Sequence, residues 1–217
     1  MKNTAAIKSI LLIHAPKQGR ALAYYDFLET VNPSQKDFLI QFSGVPRKLG
    51  RHTPDYTDQE ILQLNELAPA LALLSIGNLG RVLLAANLAS TEDIQEVLLR
   101  GDDFEKAAVL LALNFRDDGK QLHLDVVNVC RTNSLDTYKA LALNNPYPAN
   151  NFTEDEFIQL TLKVLFMGLP FDQIHGLEKR CNQKLIEAVL FFYTERTAAK
   201  RIVPDICINF LKEKNAL

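Results

Sequence analysis

Cysteine, tryptophan and excess charge of either sign are scarce in this sequence. Cysteine occurs three times in 217 residues, at Cys130, Cys181 and Cys207, and tryptophan does not occur. An odd number of widely spaced cysteines does not fit a disulfide framework, so we expect reduced thiols and a cytoplasmic protein. The formal net charge is −2, and basic and aromatic residues interleave only weakly. Charge and stacking therefore argue against nucleic acid as a partner.

Long apolar runs are also missing. The longest, residues 67–76, is interrupted by Pro69 and Ser75, whereas a membrane-spanning helix needs about 20 apolar residues. The apolar stretch at residues 7–13 is too short and too broken for a signal peptide. We therefore expect no transmembrane segment, and contact with a membrane surface remains open.

The sequence has no recognisable catalytic or metal-binding motif. Its four histidines lack the HxxxH or HxxE spacing of a metal site, and no glycine-rich phosphate loop occurs. The acidic residues at 102–105 are bunched at a predicted helix start, where negative charge is favourable by itself. An aspartate-rich Mg²⁺ site would instead need carboxylates one helical turn apart. We therefore expect no cofactor, no metal and no catalysis.

Helical periodicity dominates the rest of the chain. Gly and Pro, nine of each, fall mostly between periodic segments. Thr57 with Glu60, and Thr153 with Glu156, are spaced as capping boxes that begin helices, and Ser90 is placed to cap another. Further helices are predicted over residues 5–14, 21–30, 36–42, 122–129, 134–143, 183–199 and 205–211.

Three segments containing proline define boundaries in this prediction. Residues 44–54 contain two Gly and two Pro, which predicts a loop and a linker. Pro69 fits the first turn of a helix that continues to about residue 84. Pro146 and Pro148 lack N–H donors, which predicts that residues 144–151 are not helical.

The rhythm of short helices predicts the architecture. From residue 91 to residue 143, four helices of about ten residues alternate with short turns, as in helical-repeat arrays. We predict an all-α fold of stacked α-hairpins in a HEAT-like array, with a closed helical bundle as the alternative. We expect one domain over residues 1–217, with loosely packed helices in residues 1–45.

Several motifs in register resemble the EboA family of bacterial metabolite-traffic proteins, whose members typically read RTN, NPYP, LKALF-G, GLDRRAN and ERxAAGR. The matching segments here are RTN at 131–133, NPYP at 145–148, LKVLFMG at 162–168, GLEKRCN at 176–182 and ERTAAKR at 195–201. PRKLG at 46–50 and GRVLL at 80–84 also fit. The resemblance covers roughly residues 45–205.

The resemblance implies a role in the traffic or export of a small metabolite. It implies other proteins of the same pathway as partners, and it leaves the biochemical activity open. We therefore expect a non-catalytic ligand carrier, or a scaffold or adaptor protein. The alternative is an enzyme with an Arg/Lys/Asn anion pocket that acts on a phosphorylated or carboxylated metabolite.

Polar residues within these motifs are candidate ligand contacts, because Arg, Lys and Asn side chains bind anions. The candidates are Lys163, Arg131, Asn133, Asn144, Asn145, Arg180 and Arg196. Each has a structural alternative. Asn side chains cap helices, and Lys163 lies among apolar neighbours, where it can form a buried ion pair with Glu195.

Two other segments have open interpretations. Arg47, Lys48, Arg51 and His52 lie within seven residues and can bind a phosphate or carboxylate, although most such runs are only solvated. Residues 191–193 read Phe-Phe-Tyr. They either pack against the last helix or form a groove for an apolar metabolite or a partner helix.

Overall fold

The computed structural model describes residues 4–15 and 35–217, with only the backbone of residues 35–37. The predicted helix at residues 21–30 lies outside the described residues. The described part consists of α-helices and short 3-10 turns with one isolated β-bridge, which confirms the all-α prediction. The HEAT-like arrangement stays a prediction. The chain divides into two compact units, Met1–Leu141 and Ala142–Leu217, and the single domain also stays a prediction.

The first unit is built around one buried helix. Its helices are α1 (Ala5–His14), α2 (Gln35–Leu49), α3 (Asp58–Leu67), α4 (Ile76–Asn87), α5 (Thr91–Arg100), α6 (Asp103–Ala112), α7 (His123–Val129) and α8 (Leu135–Ala142). Ten of the twelve residues of α4 are buried, and α4 packs against α1, α2 and α6. A helix that is apolar on all sides belongs in the core.

The predicted capping boxes are present. Thr57 with Glu60, and Thr153 with Glu156, each exchange two hydrogen bonds at a helix start. Ser90 caps α5 in the same way. The acidic segment at 102–105 also forms a capping box, because Asp102 caps α6 and exchanges two hydrogen bonds with Glu105. Such boxes satisfy N–H groups that have no partner within the helix.

The prediction of a loop over residues 44–54 is wrong in its first half, because α2 continues through Pro46 to Leu49. Proline has no N–H, so the Phe42 carbonyl lacks its usual helical donor. Arg81 replaces that donor: its Nε donates to the Phe42 carbonyl at 3.1 Å, and its Nη2 donates to the Ser43 carbonyl at 3.3 Å. The helix therefore continues past Pro46 and ends at Leu49.

Two further boundaries differ from the prediction. The expected single helix over residues 69–84 is a 3-10 turn, Pro69–Leu73, followed by α4. Ser75 starts α4 because its hydroxyl accepts a hydrogen bond from the Asn78 N–H at 3.3 Å. Residues 146–151 are helical, contrary to expectation. Pro146 occupies the first helical position, where a missing N–H costs nothing.

The second unit has a small aromatic core. Its helices are α9 (Pro146–Asn151), α10 (Glu154–Phe166), α11 (Leu177–Arg180), α12 (Gln183–Ala198) and α13 (Asp205–Glu213). Helix α12 packs against α10 and α13. Phe171 and Phe210 are buried, with ring centroids 5.0 Å apart. Phe191 is largely exposed instead of packing in this core.

None of the described helices combines the length and the apolar character that a membrane crossing requires.

Candidate functional site

Two arginines bind carbonyl groups at the ends of helices. Arg116 donates from Nη1 to the carbonyls of Ala85 and Ala89, at 2.7 Å each, near the end of α4. Arg180 donates to three carbonyls, those of residues 149, 152 and 153, at 2.7–3.1 Å around the end of α9. Carbonyls in the last helical turn have no partner within the helix. These guanidinium groups therefore have a structural role.

Three other predicted site residues of the second unit also bond within it. Arg196 Nε donates to the Ile202 carbonyl at 2.7 Å. Asn145 is buried and caps α9. Asn144 donates from Nδ2 to the Gln173 side chain at 3.2 Å. These contacts give each residue a structural role, and contact with a ligand stays a prediction for all three and for Arg180.

The remaining predicted site residues lie in both units. Lys163 is half-buried on α10, and Glu195 is exposed, so a pair between them would lie at the surface. Arg131 and Asn133 are exposed in the turn between α7 and α8 of the first unit. Arg131 lines a cavity of about 390 Å³. A ligand role for Lys163, Arg131 and Asn133 stays a prediction.

A larger cavity, of about 650 Å³, lies in the first unit among α2, α4 and α6. Pockets of this size hold small organic ligands. We name it the arginine cleft. It is lined by the cations Arg47, Arg51 and Arg81, the acids Asp102 and Glu105, the polar Ser43, Ser75 and Asn78, and the apolar Pro46, Leu73, Leu74, Phe104 and Ala107.

Arg81 holds the walls of the arginine cleft together. It is 5% exposed and reaches from α4 to two carbonyls of α2. It also donates to Asn78 Oδ1 at 3.3 Å and to Glu105 Oε1, on α6, at 3.2 Å. Its guanidinium carbon lies 5.5 Å from the centre of the Phe42 ring. Its charge is thus compensated within the fold.

The two carboxylates of the arginine cleft are also engaged. Glu105 Oε2 accepts from the Asp102 N–H at 3.1 Å, and Asp102 Oδ1 accepts from the Glu105 N–H at 2.7 Å. Both charges lie at the N-terminus of α6, where the helix dipole favours them. Across residues 4–15 and 35–217, no group of three or more His, Cys, Asp or Glu side chains could hold a metal ion.

Arg47 and Arg51 are the exposed cations of the arginine cleft. Arg47 lies in the last turn of α2, and Arg51 lies just beyond its end. Within the described part of the chain, neither side chain has a hydrogen bond or an ion pair. Three arginines face two carboxylates, so the cleft has one net positive charge. This arrangement can bind an anion.

Two glycines position these cations. Gly50, with a φ of 111°, ends α2, and its carbonyl accepts from the Gly77 N–H at 3.1 Å. A Cβ at Gly77 would lie 2.5 Å from the Gly50 oxygen and 2.7 Å from Pro46 Cα. The Ile76 N–H donates to the His52 carbonyl at 2.9 Å. Because these N–H groups of α4 are occupied, anion binding here depends on arginine side chains.

The basic segment at 46–52 contributes Arg47 and Arg51 to the arginine cleft. The sequence alone favours solvation for this segment, with binding of a phosphate or carboxylate as the alternative. Arg81, Leu73 and Phe104 were not identified as site residues. An arginine inside the apolar segment 79–86 indicates a buried cation, but it does not reveal the partners.

The model of one protein family, described as "Metabolite traffic protein EboA", matches residues 26–210 of the chain. Comparison with curated proteins and with solved structures produced no match.

Proposed function

We propose that this chain, which belongs to the EboA family of metabolite traffic proteins, binds an anionic small metabolite in the arginine cleft and carries it without changing it chemically. The family supplies the general role in metabolite traffic. The observation that supports the site is the pair of exposed arginines, Arg47 and Arg51, at the edge of a cavity of about 650 Å³.

The chemistry of arginine supports an anionic ligand. A guanidinium presents several N–H donors in one plane, and it binds carboxylate or phosphate oxygens in pairs. Arg81 already donates to four oxygens of the protein. The side-chain N–H groups of Arg47 and Arg51 donate to none of the described residues. We therefore assign contact with the anion to these two.

The state of the carboxylates favours a carrier over an enzyme. A general base needs a carboxylate within hydrogen-bond reach of the proton that it removes. Asp102 and Glu105 instead accept N–H donors of α6, and Glu105 also pairs with Arg81. Binding and release of an unchanged metabolite is the simpler use of such a site.

Metabolites retained during native purification test this proposal. We would compare the wild type, the double variant Arg47→Gln with Arg51→Gln, and the control Arg131→Gln, whose residue lines the cavity of about 390 Å³. Mass spectrometry of the released small molecules should find an anionic compound in the wild type and the control, and not in the double variant. A compound lost only from Arg131→Gln would move the site to that cavity.

A second candidate is an adaptor function of the second unit. Phe191 on α12 and Ile202 just beyond it are largely exposed, although both are large and apolar. Exposed apolar side chains are enriched where proteins bind one another. Under this proposal, a protein of the same pathway would co-purify with the wild type and be lost from Phe191→Ser with Ile202→Ser. Equal recovery from both would count against it.

A further inference from the structure

We infer that the ligand of the arginine cleft is an amphipathic anion, whose charged group binds Arg47 and Arg51 while its apolar body covers Leu73 and Phe104. This inference rests on the proposed function and adds the class of metabolite. Its basis is the juxtaposition of two kinds of surface within one cavity.

The apolar side of the arginine cleft is unusually exposed. Leu73 is 70% exposed and Phe104 is 59% exposed, and both line the same cavity as the two exposed arginines. Single exposed apolar residues are common on protein surfaces. Here, two large apolar residues come from different elements, the 3-10 turn Pro69–Leu73 and the first turn of α6, and they line one cavity.

Both apolar residues are held in place by the backbone around them. Phe104 lies inside the capping box that Asp102 and Glu105 form at the start of α6. Leu73 ends a 3-10 turn that is anchored by the fully buried Leu71. Because the backbone is fixed before a ligand binds, covering the wall costs side-chain freedom and no ordering of the backbone.

The two surfaces select against simpler ligands. A small polar anion would contact the arginines and leave the apolar wall in water. A neutral apolar compound would cover the wall and leave the arginines without an anion. Only a molecule with both parts uses the whole cleft. Burying a methylene group contributes about 0.8 kcal/mol, which corresponds to about a fourfold gain in affinity.

Calorimetric titration of the full chain with alkyl phosphates tests this inference. Inorganic phosphate, ethyl phosphate, butyl phosphate and hexyl phosphate share one head group and differ in chain length. Because the wall remains partly open to water, we expect affinity to rise about two- to fourfold for each added methylene. Hexyl glucoside, which is neutral, should bind far more weakly than hexyl phosphate.

Variants locate the apolar contact. Leu73→Ser with Phe104→Ser should abolish the dependence on chain length and keep the affinity for inorganic phosphate. Leu124→Ser is the matched control, because Leu124 is 72% exposed in the same unit and does not line the cleft. It should keep the wild-type dependence. Both changes replace exposed side chains, so we expect the variants to fold.

The outcomes separate this inference from the proposed function. Phosphate binding that needs Arg47 and Arg51, with no effect of chain length, would overturn the amphipathic ligand and leave the anion carrier in place. Binding of no anion at all would overturn both. Vesicles with phosphatidic acid present the same chemistry in a bilayer. Retention on those vesicles without binding of hexyl phosphate would show a lipid surface, and it would overturn a free metabolite as the ligand.

Discussion

Arg180 is a predicted site residue whose side chain bonds to the protein itself. Its guanidinium donates to the carbonyls of residues 149, 152 and 153 and lies 4.7 Å from the centre of the Phe157 ring. Arg180→Met removes these donors, so we expect the free energy of unfolding to fall by about 1–3 kcal/mol. Urea denaturation measures this. Lys179→Met, at an exposed neighbour, should change it by less than about 0.5 kcal/mol.

Glu60 should make the stability of the first unit depend on pH. Its carboxylate accepts from the Thr57 N–H and from His14 Nε2, at 2.8 Å each. The pKa of Glu60 is lowered from its ordinary value of 4.5, mainly by the Thr57 N–H and also by His14. A carboxyl group whose pKa is lower in the folded than in the unfolded protein stabilises the fold at a pH above its unfolded pKa. This stabilisation is lost as the pH falls through its folded pKa.

We expect the difference in unfolding free energy between the wild type and Glu60→Gln to disappear in acid. At pH 7, Glu60→Gln should cost about 1 kcal/mol, the typical worth of a helix cap. As the pH falls below the ordinary Glu pKa of 4.5 and through the lowered pKa of folded Glu60, the wild type should lose this advantage, which urea midpoints measure. Glu66→Gln, at an exposed position on the same helix, is the control. A wild-type advantage that stays constant at every pH would contradict the assignment.

Sequence distance decides which of these contacts could be predicted. The partners of a capping box are three residues apart, so the boxes at Thr57 and Thr153 were predicted correctly. Arg81 contacts Phe42 and Glu105, which are 39 and 24 residues away. No local pattern specifies such a pairing, because it depends on how the helices pack.

At the scale of helices, Pro46 and Arg81 should be coupled. Arg81→Met removes the donor to the Phe42 carbonyl and leaves Glu105 without its cation, at a cost of about 3–5 kcal/mol. Pro46→Ala restores a backbone N–H that can donate to the same carbonyl. In that background, the cost of Arg81→Met should be smaller by about 0.5–1.5 kcal/mol. A double-mutant cycle by urea denaturation measures this, and strict additivity would contradict the account.

The contact between α2 and α4 depends on the absence of a side chain at Gly77. A Cβ there would lie 2.5 Å from the Gly50 oxygen, so Gly77→Ala should destabilise the fold by about 1–3 kcal/mol. Gly44→Ala is the matched change, because among the described residues a Cβ there meets Lys48 Cε at 4.0 Å and nothing nearer outside the backbone of its own helix. It should stabilise by about 0.5–1 kcal/mol. Thermal melting compares the two, and a Gly77→Ala variant that melts no lower than the wild type would refute the close approach.

Proline explains the main errors in the predicted helices. The sequence predicts that Pro46 breaks a helix, but a buried arginine supplies the missing donor. It predicts the same for Pro146, but that residue occupies the first helical position, where no donor is needed. The two prolines in the sequence indicate that the helical hydrogen-bond pattern changes at both sites. Only the surrounding structure determines whether a helix continues, begins or ends there.

At the scale of the whole molecule, the fold class and the family are the predictions that are confirmed, and the ligand contacts stay a prediction. The all-α architecture and the EboA membership are confirmed. The residues chosen from the family motifs include Arg180, Arg196 and Asn145, whose polar groups bond to the protein. Arg47 and Arg51, in a segment that the sequence alone favours as solvated, are exposed and line the arginine cleft.

The most direct test of this account follows the arginine side chains themselves. The Nε–H resonances of the arginines can be observed by NMR while hexyl phosphate is added to the full chain. We expect the resonances of Arg47 and Arg51 to shift as the ligand is added, whereas those of Arg116 and Arg180, which are bonded to carbonyls, should not shift. Shifts at Arg131 or Arg180, without any at Arg47 and Arg51, would contradict the assignment of the ligand to the arginine cleft.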